Sequence, residues 1–184
     1  MKALTMWSPW AWAIAWAGKD VENRQKAPPA ELIGQEIGIH GGLTLELDAI
    51  ETIAEEFGVR PVNYCMETIT RGIALGACSP GALAGFARLA GWVRVKTAYQ
   101  RPLEVAAWGG MSEARAREAA NSAWANGPYL WVLEDIRPLE HPVMCPGDRG
   151  FWDLDEEVEE LAREQLISSA AVRGDATRME ARHG

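Results

Sequence analysis

Lys19, Glu22 and Arg24 place two cations and one carboxylate within six residues. In an extended segment Glu22 and Arg24 point the same way, because side chains on a strand repeat every two residues. Two kinds of chemistry suit that set. One is a structural ion pair, of the sort that folded surfaces carry for little net stabilisation. The other is a ligand site: the guanidinium of Arg24 grips a phosphate or base edge with two hydrogen bonds, Lys19 adds a mobile cation, and Glu22 accepts from exocyclic amines. A Lys19–Glu22 pair can also move protons, provided burial brings both groups toward neutrality. Upstream, Trp7, Trp10, Trp12 and Trp16 fall within ten residues of a chain that holds nine tryptophans. Trp7 with Trp10, and Trp12 with Trp16, have the spacing of helical neighbours, so these indoles are expected in a core or lining a pocket.

Other chemistries find little support. Cys65, Cys78 and Cys145 are odd in number, far apart and without a Cys-x-x-Cys pair, so they suggest buried, reduced thiols and neither a disulfide framework nor zinc. His40, just before Gly41-Gly42, reads first as a packed or solvent-facing histidine and second as a ligand or base. With His141 and His183 it shows no metal spacing, and no metal or cofactor is expected. Lys plus Arg total 18 against 26 acidic residues, a net charge of −8, which argues against broad capture of duplex nucleic acid or of an anionic membrane. Arg94, Lys96 and Arg101 form the best local basic patch.

The elements that must position these groups follow from pattern. The 184 residues, 48% hydrophobic and 24% charged, suit one domain with a short tail. Lys2 to Met6 reads as a strand with Ala3 and Thr5 on one side and Leu4 and Met6 on the other. Ser8-Pro9 resembles a helix cap with proline in the first turn, opening a helix that ends near Gly18. The apolar run from Pro9 to Ala17 is too short to span a bilayer, which needs about 20 residues, and it is read as neither signal peptide nor anchor. Val21 to Arg24 is a second strand, and Glu36 to His40 a third, stopped by Gly41-Gly42. An amphipathic helix spans Leu45 to Phe57, the stretch from Arg60 to Gly76 is ambiguous, and Leu83 to Val95 is one long or two short strands. Ser112 caps a helix from Glu113 to about Trp124, and Tyr129 to Glu134 is a core strand. Pro138 to Phe151 reads as a turn-rich return, Asp155 to Val172 as a charged, solvated helix, and residues beyond Arg173 as a tail. Strands scattered among helices without βαβ alternation give an α+β domain on a small mixed barrel.

These segments, taken in order, resemble one family. Leu4-Thr5-Met6-Trp7-Ser8-Pro9-Trp10 and Gly18-Lys19-Asp20-Val21-Glu22-Asn23-Arg24 look like the opening of an ASCH domain, whose signature is Gly-x-Lys-x-x-Glu-x-Arg. Lys19, Glu22 and Arg24 match, whereas the first glycine position holds Ala17. Ile37 to His40, Gly81 to Leu89, Gly127 to Glu134, Pro142 to Gly147 and Gly150 to Trp152 resemble its later strands, so the likeness covers about residues 2–154. It implies a PUA-like β-barrel with surrounding helices, a helix appended over 155–172 and a flexible tail over 173–184. Compact members are common in bacteria and their phages, which implies a cytoplasmic setting.

The resemblance also implies a ligand cleft beside the signature, lined by Trp7, Ser8, Trp10, Lys19, Glu22, Arg24, Trp124 and Tyr129. The partner it suggests is RNA, single-stranded nucleic acid or a modified nucleoside. Trp7, Trp10 or Trp124 would stack on the base, a contact worth about 1–3 kcal/mol per base in single-strand binders. Some small relatives are amidohydrolases acting on N4-acetylcytidine with a lysine, a threonine and a glutamate, and others have been considered ribonucleases. Here Glu22 stands at the threonine's place, so Lys19 and Glu22 would have to activate water. A third reading is a protein-interaction module that uses the acidic face from Asp155 to Glu164.

Overall fold

The computed structural model describes residues 1–46, 48, 49, 53, 80–97 and 101–166. The chain opens with strand β1 (Lys2–Ser8), helix α1 (Trp10–Trp16) and strand β2 (Val21–Arg24), then a 3-10 turn at Ala30–Leu32 and strand β3 (Glu36–Leu45). Strand β4 (Ala82–Val95), strand β5 (Val105–Gly109), helix α2 (Glu113–Ala120), strand β6 (Tyr129–Met144) and strand β7 (Phe151–Asp153) follow. A last helix, α3, occupies 156–166. Most of the helix expected from Leu45 to Phe57, the ambiguous stretch, Cys65, Cys78 and the tail over 173–184 lie outside the described residues; Asp48, Ala49 and Ile53 are helical.

One mixed sheet orders the strands β2-β6-β4-β3-β1-β7, with β5 also on β4. β1 runs parallel to β3 and antiparallel to β7. The sheet curls into a half-barrel, and side chains bridge its distant strands. Trp131 of β6 stacks on Phe151 of β7 with centroids 5.5 Å apart and planes 7° from parallel. α1 is apolar all round and buried over Ala11–Ala15, with Trp16 exposed at its end and away from the cleft, and it packs Ala11 and Ile14 against Leu4, Ile37, Ile39, Leu89 and Leu133. A second cluster joins Val93, Leu130 and Val132 to Ala116, Ala119 and Ala120 of α2. The architecture is thus α+β with a barrel-like sheet, as the pattern of elements implied.

Several local expectations change. Ser8 ends β1 and its hydroxyl donates to the Gly42 carbonyl at 3.2 Å, so Pro9 takes the N-cap position of α1 and no side chain caps the helix. β3 continues through Gly41-Gly42: Gly41 pairs with Met6, and a Cβ at Gly42 would lie 3.3 Å from the Met6 carbonyl oxygen. Those glycines allow close backbone approach and do not mark a strand end. β6 runs ten residues past Glu134, to Met144, through Pro138 and Pro142. Its ladder with β4 is interrupted at Leu83/Gly85 and Phe86/Arg88, and Asp135 adopts φ 51°, so irregular pairing accommodates the prolines that looked like a turn.

α2 stops at Ala120, with Ser112 accepting from the Arg115 N–H at 3.3 Å as expected of its cap. α3 is not wholly solvated: Ala162 is buried in a cluster with Ala3, Leu83, Phe86 and Leu139. Two members of the basic patch are taken up in local partnerships, and Arg94 is exposed. Lys96 pairs with Glu104 at 2.8 Å, and Arg101 donates to the carbonyls of Ser122, Ala123 and Ala125 at 2.9–3.0 Å. Among the described residues no helix is long and apolar enough to cross a membrane.

Candidate functional site

Where the curl brings β1, β2 and β3 toward the β6–β7 connection, a cleft of about 1290 Å³ opens. β1 contributes Thr5 and Trp7, α1 contributes Trp10, and β2 contributes Glu22, Asn23 and Arg24. His40 of β3 and the 146–150 loop, including Asp148 and Arg149, complete the wall. Strand alternation puts Thr5 and Trp7 on the cleft side while Leu4 and Met6 are buried in the core, Met6 also touching the cleft wall.

Glu22 is held on both sides. Lys19 Nζ donates to Glu22 Oε2 at 3.1 Å and also to the Val21 carbonyl, and it lies 5.8 Å from the Trp10 ring centroid. The other carboxylate oxygen, Oε1, is 3.1 Å from Arg24 Nε. That Nε–H makes no aligned hydrogen bond, the one such buried side-chain polar atom among the described residues. Arg24 extends across Trp131, 5.3 Å from its ring centroid, and donates from Nη2 to the Thr5 carbonyl at 3.3 Å. Lys19 is 2% exposed and does not line the cleft, so its ammonium acts on Glu22 from behind and not as a mobile cation. The two-residue spacing of Glu22 and Arg24 yields the shared face expected of it.

The predicted lining residues therefore separate. Trp7, Trp10, Glu22 and Arg24 meet at the cleft, with Trp7 60% exposed at its rim. Ser8 and Lys19 are buried behind the wall. Trp124 packs in the α2 cluster with Leu130, and Tyr129 lies against Trp92 with centroids 5.7 Å apart, so neither reaches the cleft. Trp12 is core. Trp7 and Trp10 share the cleft from a strand and a helix, not from one helical face.

His40 is a packed imidazole, hydrogen-bonded on both sides of the ring. It is 2% exposed, and each ring nitrogen has a partner: Nδ1 is 3.1 Å from Thr5 Oγ1 and Nε2 is 3.3 Å from the Cys145 carbonyl oxygen. Burial holds its pKa below the usual histidine value, partly opposed by the Cys145 carbonyl, so the ring is neutral at neutral pH. A carbonyl only accepts; Nε2 therefore carries the proton, Nδ1 accepts, and the Thr5 hydroxyl donates to it. Thr5 Oγ1 in turn accepts from Trp152 Nε1 at 2.9 Å, and the Trp152 ring meets the imidazole edge-on at 5.4 Å. Gly147 closes over the ring so tightly that a Cβ there would lie 2.2 Å from His40 Cε1. Cys145 is a free, buried thiol, and burial pushes its pKa up, as expected of an inert cysteine.

Thr5, Asn23 and Arg149 are lining residues that the motif reading missed. The signal for Thr5 was present in the alternation of β1, which sets it beside Trp7; for Arg149, in a turn-rich segment, there was none. No group of three or more metal-ligating side chains occurs among the described residues. No protein-family model and no curated protein matches the chain.

Proposed function

We infer that this chain is a nucleotide-recognising domain of the PUA-like, ASCH type, which encloses a base of RNA or other single-stranded nucleic acid, or a modified nucleoside, in the cleft between β1, β2 and β3. The observation that carries this reading is the arrangement of Glu22: its carboxylate is fixed between Lys19 and Arg24 on the wall of a cleft that the exposed indole of Trp7 also lines. A fixed carboxylate accepts from exocyclic amines, the neighbouring guanidinium suits a base edge or phosphate, and Trp7 offers a stacking face. Exposed Leu43 and Met144 on the same rim extend the apolar contact area. An enclosed base needs few phosphate contacts, which suits a chain of net charge −8.

The alternative of a hydrolase using Lys19 and Glu22 has less support, because the Lys19 donors face Glu22 and the Val21 carbonyl and not the cleft. The acidic helix of the interaction-module reading is partly occupied within the chain, with Glu159 paired to Arg163 at 2.9 Å. The deciding experiment is a screen of ordinary and modified nucleosides and short single strands, read by tryptophan fluorescence. Saturable quenching by one class, lost in Glu22→Gln, supports recognition; no response from a folded protein rejects it in favour of the interaction module.

A further inference from the structure

The hydrogen-bond chain through Thr5 and His40 lies beside the Lys19–Glu22–Arg24 set, joined to it by the Arg24 contact with the Thr5 carbonyl, and its imidazole is buried. It has the three parts of an activated nucleophile. Thr5 lines the cleft, His40 Nδ1 lies 3.1 Å from its Oγ1 as the proton acceptor, and the Cys145 carbonyl at 3.3 Å fixes the ring's orientation and tautomer. From this geometry we propose that Thr5 and His40 form a catalytic dyad that hydrolyses small carboxylic esters through an acyl-threonine intermediate.

In the first half-reaction Thr5 Oγ1 attacks the ester carbonyl carbon while its proton passes to His40 Nδ1. The tetrahedral adduct then breaks its bond to the alcohol oxygen, which leaves with that proton. In the second half, water attacks the acyl-threonine, His40 Nδ1 takes the water proton and returns it to Oγ1, and the carboxylic acid departs. One ester and one water thus give one alcohol and one acid.

Three features of the site serve these steps. Of the two lone pairs on Oγ1, one is occupied by Trp152 Nε1–H at 2.9 Å, which stabilises negative charge on that oxygen, and the other is available for attack. Arg24 Nη2 donates to the main-chain carbonyl of Thr5 at 3.3 Å, so a guanidinium is held next to the residue that carries the nucleophile. Burial keeps His40 neutral at neutral pH, so Nδ1 presents an unprotonated lone pair to the Thr5 hydroxyl. An ester suits this dyad better than an amide because an alkoxide leaves with less proton donation than an amine requires. The dyad stands apart from the nucleotide reading, since its groups need only a carbonyl in the cleft.

The test is incubation of the full chain with p-nitrophenyl acetate, following nitrophenolate release and mapping acetyl adducts by peptide mass spectrometry. The expected result is acetylation at Thr5, retained in Thr5→Ser, absent in Thr5→Val, and slower by about 10²–10⁴-fold in His40→Gln. The rate should fall at low pH as His40 takes up a proton. Should His40→Gln fail to fold, Trp152→Phe and the Thr5→Ser against Thr5→Val comparison still decide. Adducts confined to lysines or Cys145, or a release rate the same in Thr5→Val as in wild type, overturn the proposal while leaving the fluorescence screen unaffected.

Discussion

Arg24 on β2 donates to the Thr5 carbonyl on β1 at 3.3 Å, although β6, β4 and β3 separate those two strands in the sheet. A single guanidinium thus spans the opening of the curl while its Nε lies 3.1 Å from Glu22 Oε1. Arg24→Lys keeps the charge and loses the planar fork. It should weaken nucleoside binding by about 1.5–3 kcal/mol, the worth of a hydrogen bond to a charged group, and isothermal titration measures that directly.

Lys19→Met is expected to damage the fold more than Glu22→Gln. Removing the lysine leaves a largely buried carboxylate with Arg24 as its remaining cation, and breaking such a pair costs about 3–5 kcal/mol. Glu22→Gln leaves a neutral amide whose single carbonyl oxygen can still accept from Lys19, with its NH2 on the side of Arg24 Nε, which makes no aligned hydrogen bond in the wild type. The double variant should recover part of the loss, so urea unfolding of all four proteins in a double-mutant cycle gives a coupling well above zero.

Trp7→Ala should separate folding from recognition. At 60% exposure the indole contributes little packing, so the unfolding free energy should stay within about 0.5 kcal/mol of wild type. Binding of a base should nonetheless fall by about 1–3 kcal/mol, the range for loss of one stacking partner. Equal affinity in Trp7→Ala and wild type would remove Trp7 from the ligand contacts.

His40 predicts a pH dependence of stability. Its folded pKa is lowered by burial, so the unfolded chain binds the proton more readily. The stability it contributes is present above the unfolded value of about 6.5 and is lost as pH falls below that toward the folded value. The groups facing it are the Thr5 hydroxyl, the Cys145 carbonyl and the Trp152 ring, with Gly147 above, and none of these carries charge. Urea midpoints should decline from pH 7 toward about pH 5 in wild type, with a shallower decline in His40→Gln.

How far the sequence reveals this molecule depends on the range of the interactions involved. β1, β2 and the cap of α2 were legible because alternation and capping are local. The Glu22–Arg24 face followed from the same two-residue rule. Gly41-Gly42 and Pro138 misled because their role is set by strands remote in sequence, where close approach or an interrupted ladder reverses the usual meaning of glycine and proline. Trp124 and Tyr129 looked like cleft residues by type, but which indole faces a cavity depends on packing that no spacing encodes. The Thr5–His40 contact joins residues 35 apart, and only the parallel pairing of β1 with β3 aligns them.

β1 is written in two interleaved texts, one on the even positions Leu4 and Met6 and one on the odd positions Thr5 and Trp7. Substitution can revise either text while the other stays intact, so ligand preference is free to drift without eroding the hydrophobic interior. A one-residue deletion between Lys2 and Ser8 would exchange the two, sending the indole inward and the aliphatic side chains to the mouth. Length in this strand is therefore expected to be held far more strictly than residue identity at Trp7.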